Sequence, residues 1–495
     1  MADPFTSTAL EADAFTVWIE AQARKGARFA GLLALRSGDE TPLFAIFSAV
    51  GQYVIAKCEL GHGETSYPSL GSVTPTADWY ERRIFDLFGL SSTSGSKEPL
   101  ILQREVERSG RSERTGEYPD QRRNGSKPSV IGEGIFKIPL GPVRSGVFES
   151  IEYVVETPGE EILHVEPRPF YKHRGVDLGF AGRSLEDGAL LAERVEGVSG
   201  VAHAIAYCQA IEALSDSEVP VQAQLVRTIH AELERVANHL ESTIRHCEAA
   251  AQAVALSRLG LHKEQVMRLR ADLCGHRFSR GVVSPGGVRV PLLLDTEITS
   301  DRISSLERDI DRDLTLLLNT PSFVDRLRGT GVATYDQAGL FGALGPVGRG
   351  SGLAEDVRAS HSYGAYNRLG FLPVRQIFDG DALARQLVRV DEIEGSFHLL
   401  KQALDGLSRM APPVNGWLAE QKVVRDGESL GWAEAAQGEV LYLVAVKDGR
   451  LMSVGQRSAS FHNMALFSTA FPKDITTDFA FIEASFGLSV AGVSS

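Results

Sequence analysis

His230 and Glu234 stand four residues apart in a helical pattern, the spacing at which two ligands share one helix face and can reach a common metal ion. No further ligand accompanies them, so the pair reads as part of a packed helix, as do His203 and His239. Four cysteines, Cys58, Cys208, Cys247 and Cys274, lie far apart and form no CxxC pair. That spacing excludes a disulfide scaffold, a thiolate zinc site and a self-contained iron–sulfur cluster, each of which needs clustered cysteines. Cys208 and Cys274 read as small inert hydrophobes. Gly348-Arg349-Gly350-Ser351-Gly352 has the glycine content of a phosphate loop, but it lacks the preceding strand and the G-x-G-x-x-G spacing. It reads as a structural loop. No nicotinamide-binding fingerprint occurs.

The chain that positions these groups has 495 residues, 23% charged and 43% hydrophobic, which is ordinary globular composition for two or three domains. Its net charge is 51 − 64 = −13, which argues against a broad nucleic-acid-binding surface. The start, MADPFTSTALEADAF, has no basic region followed by an apolar run, so no signal peptide is read. No stretch of about 18 apolar residues occurs, so no membrane span is expected and membrane contact is indirect, through partners.

Residues 1 to about 90 combine an amphipathic helix, Ala12 to Lys25, with the β-rich runs FAGLLALRS, PLFAIFSAV and QYVIAKCEL. A polar, charged stretch follows, REVERSGRSERTGEYPDQRRNGSKPS, which reads as an exposed linker or arm. From about Ile131 three short β-rich runs lead into long helical patterns. The first helix is expected from about Leu185 to Leu214. The next opens at Pro220 and puts Leu225, Ile229, Leu233, Val236 and Leu240 on one face. Further helices are expected at Lys263–Leu273, at Ser300–Leu318 and after residue 375. A hairpin near the end turns at Asp448-Gly449.

The run Trp79-Tyr80-Glu81-Arg82-Arg83-Ile84-Phe85-Asp86-Leu87-Phe88-Gly89-Leu90 resembles the signature of the C-type subunit of bacterial NADH:quinone oxidoreductase (complex I). From about residue 130 the chain resembles the D-type subunit of complex I and the large subunit of energy-converting, formate-hydrogenlyase-type nickel–iron hydrogenases. The segments that carry this resemblance include GPVRSGVFES, FYKHRGVDLGFAGRS, QLVRTIHAELERVANHLE, GHRFSRGVVSPGGV and GEVLYLV. The resemblance implies an α+β fold in two parts. Residues 1–125 form a small C-type α+β domain with the charged linker, and 126–495 a mainly helical hydrogenase-large-subunit-like domain.

The chemistry departs from the hydrogenases. A nickel–iron centre needs four soft thiolates, supplied in that family by two CxxC pairs. Here Glu196 and Ser199 stand where the first pair belongs, in Arg194-Val195-Glu196-Gly197-Val198-Ser199, and FIEASFGLSVAGVSS near the end has no cysteine. No nickel–iron centre and no hydrogen evolution are therefore expected. In complex I the equivalent cavity receives a quinone headgroup. By that resemblance Tyr171 matches the family's quinone-facing tyrosine, and Glu196 the aspartate that supports its histidine. Arg144 falls in the hairpin where both relatives carry that histidine. A guanidinium cannot deliver a proton at neutral pH, so Arg144 is expected to bind an anion, to pair with Glu196 or to make a structural ion pair. His173 is the substitute proton donor, and Ser199 a polar contact for whatever occupies the cavity.

The resemblance further implies iron–sulfur clusters only in partner subunits, namely ferredoxin-like and small hydrogenase-like proteins. Integral membrane antiporter-like subunits would anchor the assembly at the cytoplasmic face of the inner membrane. The leading expectation is an oxidoreductase subunit that binds a quinone or similar acceptor. The alternative is a non-redox structural or coupling module.

Overall fold

The computed structural model describes residues 7–101, 130–144 and 149–495, except positions 39, 62, 97, 131, 133, 216–217, 373, 415 and 420–422. The charged stretch and the boundary expected at residue 125 lie outside the described residues. The first part is a four-stranded sheet of Ser7–Leu10, Arg28–Ala34, Leu43–Ala49 and Gln52–Cys58. The first strand lies parallel to the fourth, and the other pairs are antiparallel. Helices Ala12–Arg24 and Ala77–Phe88 accompany it. The second stops at Gly89, whose φ of 74° is the left-handed cap that glycine adopts without a Cβ penalty.

The second part opens with an antiparallel sheet of Phe136–Leu140, Glu152–Thr157 and His164–Arg168. Long helices Val221–Ala249, Ala253–Cys274, Thr296–Leu318 and Ala382–Ser408 follow. The expected hairpin is the second turn of a three-stranded meander, Gly427–Ala435, Gly438–Lys447 and Arg450–Arg457. Asp448 and Gly449 both have positive φ, as a tight hairpin turn of this hand requires.

Two expectations are corrected. The helix expected from Leu185 to Leu214 is broken into Leu185–Ala192 and Gly200–Ser215. The Glu234 carboxylate accepts the backbone N–H groups of Val201 and Ala202 and so starts a new helix there. Gly200 packs so tightly on the Glu193 carbonyl that a Cβ would stand 2.9 Å from its oxygen. The glycine-rich run around residue 350 is likewise no loop throughout, because Gly345–Gly350 is a short helix.

That short helix carries Arg349 into a buried ion cluster with Arg235 and Arg358. Opposite them stand Glu232, Asp356, Glu392 and Glu434, and none of the seven is more than 5% exposed. The two parts of the chain also share one core. Phe29, Leu32, Phe47 and Tyr80 of the first pack in a single cluster with Phe461, Met464 and Phe467 of the second. The Tyr80 hydroxyl donates to His462 Nδ1 at 2.7 Å, and Arg28 pairs with Glu355 and Glu439 across the same seam.

Helix Gly200–Ser215 lies directly on strand Gly427–Ala435. A Cβ on Gly431 would stand 2.0 Å from the Ala206 carbonyl oxygen. Gly431→Ala is accordingly expected to lift the helix and to cost about 2–3 kcal/mol. In urea the midpoint should fall at unchanged slope.

Candidate functional site

The break between the two helices turns Glu193, Val195, Glu196 and Ser199 inward, while Arg194, Gly197 and Val198 stay exposed. Glu196 is 1% exposed and Ser199 fully buried. Glu196 Oε1 is 3.3 Å from His203 Nε2, an ion-pair distance that is not aligned as a hydrogen bond. His203 sits one turn inside helix Gly200–Ser215. Its Nδ1 is 2.8 Å from the Tyr442 hydroxyl on the central strand of the meander. The second oxygen of Glu196 has no hydrogen-bond partner and presses on Gly492, where a Cβ would stand 2.1 Å away. Ser199 donates its hydroxyl to Gln437 Oε1 at 2.7 Å. Gln456 lies opposite Tyr442 on the neighbouring strand, and its side-chain oxygen is also buried without a partner.

Residues 489–495 roof this polar centre. Arg174 holds the roof by donating to the carbonyls of Arg194 and Val195 on one side and Ala491 on the other. Glu149 accepts the N–H of Val490, and burial pushes its carboxyl above the usual range, with the nearby Glu196 charge adding to the effect. His173 Nδ1 meets the Ser494 carbonyl oxygen at 3.2 Å and so carries the hydrogen. Burial, reinforced by Arg83, holds its imidazole below the usual range. The structure thus gathers Glu196, Ser199 and His173 about one segment.

Tyr171 and Arg144 have other partners. The Tyr171 hydroxyl donates to Glu152 Oε2 at 2.8 Å, an oxygen shared with Arg168. Arg144 does not pair with Glu196, one of the arrangements expected for it. Instead it forms a two-pronged pair with Glu483, at 3.0 and 2.5 Å. The reason is local. Helix Phe479–Phe486 presents Glu483 to it, and the rings of Tyr153 and Phe479 stack on the guanidinium at 5.1 and 6.0 Å. Beside this pair is a cavity of about 30 Å³ bordered by Glu149, Tyr153, Phe467, Glu483 and Val490, room for water but not for an aromatic ring.

The donor set around Glu196 does not fit a nickel–iron centre. It offers carboxylate, hydroxyl, amide and imidazole where soft thiolates are required. Cys58, Cys247 and Cys274 lie in other elements, Cys208 follows His203 by five residues on the same helix, and all four are buried. Burial pushes the Cys58 and Cys247 thiols up to about 11 and about 12 and raises that of Cys208 strongly, so these three remain protonated. His203 and Tyr442 were not singled out as site residues from the sequence. The one available signal was that His203 follows Glu196 by seven residues and that Tyr442 lies in the GEVLYLV segment.

A small α+β unit shares its core with a helical bundle, and a buried polar cluster sits at the break before Gly200–Ser215. Residues 9–106 match the family described as respiratory-chain NADH dehydrogenase, 30 Kd subunit, and 254–422 match its 49 Kd subunit. The membrane-bound hydrogenase subunit alpha of Pyrococcus furiosus is 32% identical over 325 residues, 63% of this chain and 76% of the relative. Formate hydrogenlyase subunit 5 of Escherichia coli is 26% identical over 437 residues, covering 83% and 74% of the two chains. A D-type subunit of NADH-quinone oxidoreductase from Thermodesulfovibrio yellowstonii is 29% identical over 364 residues, covering 67% and 90%. The chain belongs to this family of membrane-bound hydrogenase and complex I subunits, with the 30 Kd-like and 49 Kd-like parts fused. Among the described residues no helix is long and apolar enough to cross a membrane.

Proposed function

We propose that this chain is the catalytic-type subunit of a membrane-bound oxidoreductase complex that has abandoned nickel–iron chemistry. It reduces a quinone or similar acceptor beside Glu196, with electrons from an iron–sulfur partner. The observation that carries this reading is a buried carboxylate with an unpartnered oxygen, at a position that by the sequence resemblance is a thiolate in the hydrogenases. Reduction of a quinone to a quinol consumes two electrons and two protons, and a buried acid with a free oxygen is suited to deliver a proton. Gly492 closes over that oxygen, so an acceptor ring enters only when the 489–495 segment shifts. Tyr171 contacts the headgroup after releasing Glu152. The partners are ferredoxin-like and small hydrogenase-like iron–sulfur proteins and antiporter-like membrane subunits, with this chain peripheral at the cytoplasmic face.

The test is elemental analysis and a short-chain ubiquinone reduction assay on the complex purified through this chain in mild detergent. Iron without stoichiometric nickel is expected. The double variant Tyr171→Phe with Glu196→Gln is expected to assemble but to reduce the quinone at least 100-fold more slowly. Stoichiometric nickel, or unchanged turnover in the double variant, would overturn the reading.

A second reading is a non-redox coupling module. The closed packing over Glu196 favours it, together with the Arg144–Glu483 pair in the hairpin where a proton-carrying histidine is expected. Partner subunits present with neither iron nor nickel would select it.

A further inference from the structure

We propose that Tyr442 and His203 form, with Glu196, a buried proton relay that reloads the Glu196 carboxyl from the side of Asp177 and His173. The inference rests on reading Glu196 as the proton-bearing group of the site. The Tyr442 hydroxyl and His203 Nδ1 lie 2.8 Å apart, and the relay uses the tautomer in which the hydroxyl donates and Nε2 carries the ring hydrogen. That Nε2 stands 3.3 Å from Glu196 Oε1 and needs only a small rotation to align. The other oxygen, Oε2, is left free to give a proton away.

One transfer balances simply. Glu196 releases the proton on Oε2, and His203 passes its Nε2 proton to Oε1 while taking the Tyr442 proton on Nδ1. Tyr442 is reprotonated from outside, so one proton enters and one leaves, and no bond between heavy atoms changes. The outer end lies on the side of Asp177, which pairs with Arg83; Arg83 in turn donates to the backbone carbonyl of Gln456, the residue opposite Tyr442 in the sheet. The other charged groups that face the line are Glu149 ahead of strand Glu152–Thr157, Glu234 on helix Val221–Ala249, and Arg174 over the Arg194–Val195 turn. Of the links in the line, Tyr442–His203 is already hydrogen-bonded, and the His203–Glu196 contact closes when the two groups align. His203 and Tyr442 are fully buried, so water does not bypass them from within the packed helix.

Time-resolved infrared spectroscopy after a rapid pH jump tests the relay in the purified complex, without any acceptor. The carboxyl signal lost in Glu196→Gln reports protonation of that side chain. Its rate is expected to fall at least tenfold in Tyr442→Phe and in His203→Gln. Tyr442→Phe keeps the ring in place and serves alone if His203→Gln does not fold. An unchanged rate in Tyr442→Phe, or a pH-jump signal to which Glu196 makes no contribution, would overturn the relay. A slowed rate in a complex that reduces no quinone would leave the relay standing and remove the acceptor reading.

Discussion

Replacing Glu392 by alanine is expected to destabilise the protein by about 3–5 kcal/mol, the cost of breaking a buried ion pair from one side. Glu392 accepts from Arg349 Nε at 2.9 Å, meets His239 Nε2 at 2.9 Å and lies 3.4 Å from Arg235. All four groups are buried, so its removal takes one negative charge from a cluster whose guanidiniums are poorly solvated, leaving Arg349 to Asp356 and Glu434 and Arg235 to Glu232. Against a total stability of about 5–15 kcal/mol, this is a large fraction of what holds the native state. Chemical denaturation of the variant provides the measurement.

Glu434→Gln is the contrasting control. The cluster opposes three guanidiniums with four carboxylates. Burial, with the nearby Asp356 charge, pushes the Glu434 carboxyl up to about 7, so of the four it is the member nearest to carrying a proton at neutral pH. Its neutral replacement should change stability by less than about 1 kcal/mol at pH 7. If Glu392→Ala costs no more than Glu434→Gln, the cluster does not hold the fold.

Stability is expected to vary little between about pH 4.5 and 7 and to collapse below about pH 4.5. Burial holds His230 and His246 down at about 3 and His239 at about 4, so the folded state keeps them neutral. The unfolded chain protonates them below about 6.5, and each therefore costs about 1.4 kcal/mol per pH unit as pH falls from there. Glu193 and Glu434, pushed up to about 7, and Asp474, pushed up to about 6, act in the opposite sense. Their folded pKa values lie above the unfolded ones, so their stabilisation is complete below about 4 and is lost as pH rises to 6–7.

Over the middle range three histidines and three acids nearly cancel. Below about 4.5 the acids are protonated in both states and the compensation ends. The histidines continue to act, and Glu355 and Asp356, held down at about 2 by Arg28, Arg358 and Arg349, add to the loss. Tryptophan fluorescence against pH should show a sharp transition between about pH 3 and 4.5. A gradual decline beginning at pH 6.5 would mean that the buried acids are ionised and offer no offset.

Much of the architecture was legible because it is written in local patterns. The 3.6-residue apolar spacing located helix Val221–Ala249 to within a residue of its start. Strand Ser7–Leu10 was not anticipated, because four residues without alternation carry no periodic signal, and its partner is remote in sequence. The break at 193–199 was missed for a related reason. It is imposed by Glu234, some 32 or 33 residues further along the chain, which caps Val201 and Ala202.

At the site, the sequence by itself established which ligand types are on offer: it has no CxxC pair, and carboxylate and hydroxyl are not soft ligands, because ligand softness belongs to the side chain. Which groups meet was decided only by the tertiary structure. Arg144 meets Glu483 rather than Glu196 across 339 residues of sequence, and His203 meets Tyr442 across 239. Such pairings arise from how helices and sheet pack around one core, and no spacing along the chain encodes them. The closing of residues 489–495 over Glu196 is of the same kind. Its glycine at 492 is ordinary in sequence and becomes decisive only when a carboxylate oxygen lies where its Cβ would be.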